Sequence, residues 1–313
     1  MPKLVWLYLT ALLYYRTSAN CVALAEALQT VSHDRLTRLL QAAWSGQILL
    51  ERAFRTLFVW ERGYLILDDT VIPKPLATAM EGLAWVFSSQ ERKPVYGFSL
   101  VLLVWTNGTL RIPLGLRLWH KGGPSKYALA LELLSYARNR LRCRPGYVLF
   151  DAWYPSKPLL KRIRDYGWYF VCRLKKNRRF NGRPLRAYRR HPYWAEIGWL
   201  SGGLKVLVVR HGKKYYATNR LMLPAAEGRR LYRIRSQMEE VIRVCKDQLG
   251  LTGCQARSER AQLHHITCCL VAFCVLERER QERHLSIYKL KRQLSFQGRS
   301  MALPALERLR RAA

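Results

Sequence analysis

Residues 64–72 read YLILDDTVI. The run is rich in branched apolar residues and has the length of a buried strand, yet two adjacent carboxylates stand inside it. Burying an unpaired carboxylate is costly, so Asp68 and Asp69 at the end of such a strand need a reason. The segments that follow decide the fold. YGFSLVLLVWTNGTLRIPLGLRLW (96–119) reads as two strands joined around Asn107-Gly108, a strong short-range hairpin signal. After the breaker Gly122-Gly123-Pro124, SKYALALELLSYARNRL (125–141) reads as a helix. YVLFDAWY (147–154) is another buried strand, with Asp151 at its end. PSKPLLKRIRDYG (155–167) is a helix with Pro near its start and Gly at its end, and WYFVCRLK (168–175) is a fifth strand.

The order is therefore strand, two-stranded hairpin, helix, strand, helix, strand. This predicts an α/β fold with a mixed sheet and helices on its faces. From about 175 to 228 the rhythm breaks. That stretch is rich in Arg, Lys, Trp and Tyr and holds strand-like pieces such as LKVLVVRH and KKYYATNRL, so it reads as a β-rich insertion. Residues 1–60 have helical periodicity, and TSANCVALAEAL followed by VSHDRLTRLLQAAW suggests two short helices around a tight turn. That pair suits a DNA-binding helical module and ordinary packing equally. The division expected is a helical region over 1–60 that is a candidate for DNA-end binding, a core over 61–260, and a helical, basic region over 261–313.

The 313 residues carry 54 Lys+Arg against 21 Asp+Glu, a formal charge of +33. So large an excess repels itself unless a polyanion neutralises it, and nucleic acid is the leading partner, ahead of an anionic membrane surface. The cations are spread along the whole chain, which favours a broad binding surface over a disordered basic arm. The longest apolar runs, LVWLYLTALLYY (4–15) and ITCCLVAFCVL (266–276), are shorter than the ~20 residues that a membrane span requires. The first follows Lys3 as a signal peptide would. No small-residue cleavage site ends it, so a packed helix is expected. The eight cysteines form no C-x-x-C pair and sit mostly in apolar segments, as thiols do in a reducing cytosol. His264, His265, Cys268 and Cys269 have some look of a zinc site, but their helix is apolar and no second ligand pair has matching spacing; core packing is expected.

In YRIRSQMEEVIRVCK (232–246), helical geometry at about 100° per residue brings Tyr232, Arg235, Glu239 and Lys246 within an arc of roughly 60°. Ile234, Met238, Val241, Ile242, Cys245 and Leu249 cluster on a separate arc, roughly 100° away. A solvated amphipathic helix would account for this face taken alone. Asp68 and Asp69 could cap a turn with Thr70, and Asp151 could cap the following helix. Together, acids at strand ends of a mixed sheet point instead to a shared site. Converging carboxylates repel one another unless divalent cations neutralise them, and hard oxygen ligands suit Mg²⁺ or Mn²⁺. Two such ions about 4 Å apart activate a water or hydroxyl and stabilise the leaving oxygen of a phosphodiester, while neighbouring cations grip the strand through its phosphates.

These residues resemble a known family. Tyr232, Arg235, Glu239 and Lys246 match, at every interval, the Y-(2)-R-(3)-E-(6)-K signature of DDE transposases of bacterial insertion sequences, in the cut-and-paste group. LDDTVIPK (67–74) and FDAWYPSKPLLKRIRDYGWYFVCRLKKNRRF (150–180) are also similar to this group, so the resemblance covers roughly residues 60–260. It implies a ribonuclease H-like core with the β-rich insertion between the second Asp and the Glu. It implies catalytic metal ligands at Asp69, Asp151 and Glu239. Asp69 is preferred to Asp68 because the family's first Asp directly precedes Thr, although periodicity cannot separate the two. Tyr232, Arg235 and Lys246 would hold the transposon end, and Trp194 and Trp199 are candidates to stack a flipped base. The implied cofactor is Mg²⁺, with Mn²⁺ substituting. The implied partners are double-stranded DNA, as terminal inverted repeats and target, and a second copy of the chain in the synaptic complex. No membrane is implied; the setting would be cytoplasmic, bacterial and nucleoid-associated. The alternatives are a catalytically retired DNA-binding relative and a ribonuclease H-like nuclease without strand transfer.

Overall fold

The structure is a computed structural model, described here for residues 2–15, 19–59, 62–88, 91–188 and 191–312. The expected boundary at 60/61 falls outside the described residues. Four helices come first: α1 (Leu4–Tyr14), α2 (Cys21–Leu28), α3 (His33–Gln41) and α4 (Gly46–Leu57). Strands β1 (Tyr64–Pro73), β2 (Ala84–Ser88), β3 (Lys93–Thr106) and β4 (Arg111–Trp119) follow. Then come α5 (Lys126–Asn139), β5 (Tyr147–Phe150), α6 (Lys157–Asp165) and β6 (Tyr169–Leu174). The insertion contributes β7 (Arg179–Phe180), β8 (Arg183–Pro184), β9 (Tyr193–Leu200), β10 (Leu204–His211) and β11 (Lys214–Thr218). The chain closes with α7 (Ala225–Arg233), α8 (Ser236–Leu249), α9 (Glu259–Arg283), α10 (Ile287–Gln297) and α11 (Pro304–Arg311).

Among the described residues all eleven strands join one sheet, in the order β2-β3-β1-β5-β6-β11-β10-β9-β7-β8, with β4 also on β3. β1 runs antiparallel to β3 and parallel to β5, which is parallel to β6. The hairpin forms where Asn107-Gly108 predicts it. Gly108 takes φ +105°, and Asn107 Oδ1 accepts from the backbone N–H of Thr109 (3.1 Å) and Leu110 (2.9 Å), closing the turn. The strand β2 was not expected; its alternation of buried and exposed residues is confined to five positions beside a polar loop. The insertion does not form a separate sheet. β11 pairs antiparallel with β6, so the ladder of the core continues into it.

The two ends of the chain meet in one helical layer. The 25-residue α9 is buried on nearly all sides through its middle, and α1, α3, α4, α8, α10, α11 and β4 pack on it. The apolar run at 4–15 is α1, with Val5, Tyr8, Leu9, Leu12 and Leu13 in the core. Among the described residues no helix is long and apolar enough to cross a membrane. Asn20 caps α2, its Oδ1 accepting from Ala23 N at 2.8 Å. Lys291 is fully buried on α10, and its Nζ donates to the carbonyls of Leu13 (2.7 Å) and Tyr15 (3.2 Å), which end α1.

His264, His265, Cys268 and Cys269 lie in this core. His265 Nδ1 meets Tyr8 Oη at 2.7 Å and Nε2 meets the Gly250 carbonyl at 3.0 Å, a set that a neutral ring satisfies with the proton on Nε2. Burial holds its pKa down to about 4, against an ordinary 6.5. The unfolded chain therefore takes up this proton as pH falls through 6.5, while the folded chain resists until about 4. The stability from keeping His265 neutral is complete above pH 6.5 and drains away between 6.5 and 4. Urea unfolding at pH 7 and pH 4.5 should show a loss from this group of roughly 2–3 kcal/mol. The His265→Asn variant should lose less over the same interval; equal losses would exclude this account.

Candidate active site

β1 does not end at its aspartates. Asp68 pairs with Leu102 and Asp69 with Val101, and the strand runs on to Pro73. No turn forms at Asp68–Thr70, so these residues are not a turn cap. What ends here is the parallel pairing with β5, whose last pair is Leu67 with Phe150. Asp68 and Asp151 are the next residues on the two chains and leave the ladder side by side. Asp151 does not cap α6 either; Ser156 does, its Oγ accepting from Leu159 N. Asp151 Oδ1 accepts from Trp153 N at 2.8 Å, in the loop that leaves β5.

Side chains alternate across a strand, so Asp68 and Asp69 point to opposite faces. Asp69 Oδ2 meets Lys126 Nζ at 2.5 Å, at the start of α5, and its Oδ1 accepts from the buried Tyr154 hydroxyl at 3.2 Å. Asp68 Oδ2 is held by Arg235 Nη1, and Arg235 Nη2 reaches Glu239 Oε1 at 2.7 Å. One guanidinium thus ties the first strand's aspartate to the distant glutamate. Burial pushes the Asp68 carboxyl up to about 7; Arg235 pulls it down, and Asp151 and Asp69 push it further up. Asp151 is also felt at Tyr232 and Arg235.

The sequence predicts one helix through 232–246, and the structure divides it. Tyr232 is on α7, Glu239 and Lys246 are on α8, and Arg235 stands at the joint. There the hydrogen bonds shorten from four residues to three: Ile234 N to Leu231 O, Arg235 N to Tyr232 O, Gln237 N to Ile234 O and Met238 N to Arg235 O, each 3.0–3.1 Å. The stretch holds no Pro or Gly, so periodicity carries no sign of the tightening. Tyr232 lies edge-on to Tyr216 of β11 at 5.2 Å, with the Arg235 guanidinium 5.8 Å from its ring, and burial pushes its hydroxyl up to about 12. Glu239 is 55% exposed. Lys246 is half-buried, with the charges of Asp247 and Glu91 near it.

The donor set fits a hard divalent cation in kind. It is carboxylate oxygen throughout, as a hard cation requires. The shell is not closed: among the described residues no three Asp, Glu, His or Cys side chains stand close enough together to hold a metal ion. Arg235 and Lys126 occupy the carboxylates instead. Sequence reading missed Lys126 and Tyr154. Lys126 could have been suspected as the first residue of a helix entering from a Gly-Gly-Pro breaker beside the strand ends. Of the two tryptophans singled out, Trp194 lies among Tyr188, Phe180 and Tyr215 in an aromatic cluster, while Trp199 is 52% exposed with Lys205 over its ring.

Comparison with known proteins bears on the fold and the family. A search of the curated proteins finds no match. Among solved structures, the chain is similar to the piggyBac transposase in its synaptic complex with hairpin DNA, at 13% identity, over 98% of this chain and 74% of that one, with a TM-score of 0.59. At that identity the likeness speaks for the fold, a mixed sheet with flanking helices of the ribonuclease H-like kind. The family model for the transposase DDE domain matches residues 60–275, which include Asp68, Asp69, Asp151, Glu239 and the stretch 232–246. The chain belongs to the transposase DDE domain family.

Proposed function

We propose that this protein is a cut-and-paste transposase that binds the terminal inverted repeats of its own element as a homodimer. It hydrolyses the phosphodiester at each end and joins the freed 3′-hydroxyls to target DNA. One observation carries the reading: Asp68 and Asp151 follow the last pair of the parallel β1–β5 ladder side by side, and Arg235 holds Glu239 to the same Asp68. DDE transposases use divalent metal ions; Mg²⁺ is the ion proposed here, with Mn²⁺ substituting. Bound there, such ions supply an activated water and stabilise the leaving oxygen. Asp68, Asp151 and Glu239 would hold them, with Asp68 in place of the Asp69 that the resemblance prefers. Asp69 then orders the opposite face through Lys126 and Tyr154.

With ions held by the carboxylates, Arg235 would be released from Asp68 and Glu239 and its charge would be available to the DNA backbone. Tyr232 and Lys246 would grip the transposon end with it, and the helices of residues 1–60 would add contacts along the DNA. The piggyBac relative's complex with hairpin DNA supports DNA as the partner. Cleavage of an end-labelled inverted-repeat oligonucleotide in Mg²⁺ tests both the reaction and the ligand choice. Asp68→Asn should lose cutting by on the order of 10³-fold or more, and Asp69→Asn by less than about tenfold. The reverse ranking would return the first ligand to Asp69, and cutting undiminished in both would remove the site from this strand.

A further inference from the structure

The two ends of the sheet are built differently. At one end stands β8, two residues long and made of Arg183 and Pro184; charge and Pro both discourage further pairing. At the other stands β2, AWVFS, with no charge, no Pro and no bulge. It pairs with Lys93–Gly97 of β3, and among the described residues its outer edge bonds to nothing. One face of this two-stranded ribbon is covered, since Ala84, Val86 and Val95 pack with Val71 and Trp119. The other face is bare: Trp85 is 71% exposed and Phe87 65%. Their cross-strand neighbours are Tyr96 and Pro94, and the rings of Trp85 and Tyr96 lie 5.6 Å apart. An apolar face beside an open strand edge is a template for another strand.

Charge and symmetry select the occupant. Duplex DNA would need cations on this face, and Trp85, Phe87, Pro94 and Tyr96 bring none. Lys93, at the end of the ribbon, is paired with Glu91 at 3.6 Å. A chain of net charge +33 repels its own copy over most of its surface, and an uncharged strand is where that repulsion is least. The edge is also its own complement. Set antiparallel about a twofold axis at Val86, β2 places Trp85 opposite the partner's Phe87, and Phe87 opposite the partner's Trp85.

We infer that two copies of this chain join without DNA by pairing β2 with β2, so that their aromatic faces form one surface. Both edges are consumed, so the assembly closes at two. Five residues a side make a small contact, and the pair is a transient one. Side chains opposite one another in paired strands share a face, and Trp85, Tyr96, Leu102 and Asp68 are on the same one. The Asp68 faces of the two copies therefore lie on one side of the joined sheet. That the pair presents two cutting sites to two DNA ends rests on the function proposed above; the pairing itself does not.

The test is sedimentation equilibrium in EDTA, without DNA. The average mass of the parent chain should climb with concentration from one chain toward two. Trp85→Glu and Phe87→Lys each put an unpaired charge into the contact and should each weaken association about tenfold or more. The double variant sets the two charges opposite each other across the axis and should recover part of that loss. A parent chain that stays monomeric, or single variants that associate as it does, would overturn the inference. Single variants that associate normally but lose a short duplex would give the face to DNA instead. Should the variants fail to fold, amide hydrogen exchange of the parent chain decides. Residues 84–88 should gain protection as concentration rises, and unchanged exchange there would overturn the inference equally. No cutting is involved, so a chain that pairs through β2 yet never cleaves DNA would sink only the proposed function.

Discussion

Replacing Asp151 by Asn should abolish Mg²⁺-dependent cleavage of transposon-end DNA, by on the order of 10³–10⁴-fold, while the protein stays folded and still binds the DNA. The substitution keeps the shape and the oxygen that accepts from Trp153 N, so the loop after β5 has no reason to move. It removes one unit of negative charge from the place where the pairing of β1 with β5 ends. A neutral amide is a poor ligand for a hard dication, and its loss cannot be made good by Asp69, which faces the other side of β1 with Lys126. A second reading comes without DNA. Because Asp151 pushes the Asp68 carboxyl up, Asp151→Asn should lower the Asp68 pKa from about 7, measurable by carboxylate NMR titration. A variant that cuts as well as the parent protein would mean that Asp151 is no part of the reaction.

Glu277→Ala should be the most destabilising single substitution outside that site. Glu277 is fully buried on α9, where its carboxylate accepts from Arg111 N (3.0 Å), Nε (3.1 Å) and Nη2 (2.8 Å). It also accepts from Arg280 Nε (2.8 Å) and Nη2 (2.9 Å). This is the bolt between the long C-terminal helix and the first residue of β4. Truncation leaves the Arg111 guanidinium mostly enclosed, with Glu240 4.0 Å away as its remaining counter-charge. Breaking a buried pair by removing one partner costs about 3–5 kcal/mol, most of it the stranded charge. Denaturant unfolding should show that loss in Glu277→Ala and a smaller one in Glu277→Gln, which keeps an acceptor. A loss under about 1 kcal/mol would show that Arg111 finds water or Glu240 at little cost.

The sheet was legible because its central strands are buried on both faces and read as unbroken apolar runs, and because Asn107-Gly108 and Gly122-Gly123-Pro124 mark the connections. The insertion was legible by composition, but nothing in KKYYATNRL tells that β11 would pair with β6 rather than close a sheet of its own. The choice between Asp68 and Asp69 was out of reach for the same reason that β1 was easy to see: a strand apolar on both sides hides its phase. It takes the register Leu67–Phe150, a pairing between residues 83 positions apart, to show which aspartate faces Asp151. The joint at Ile234–Arg235 was hidden because a three-residue turn keeps helical backbone angles, and its mark is the long-range contact of Arg235 with Asp68.

Because β11 is bonded to β6 and β6 to β5, the insertion is coupled to Asp151 by rungs of backbone hydrogen bonds rather than by a flexible tether. A ladder of that kind resists bending between neighbouring strands. On β9, two strands beyond β11, the exposed Trp199 is joined to β6 through the same run of antiparallel pairs. In engineering terms the insertion is spliced to the carboxylate-bearing strands, not hinged to them.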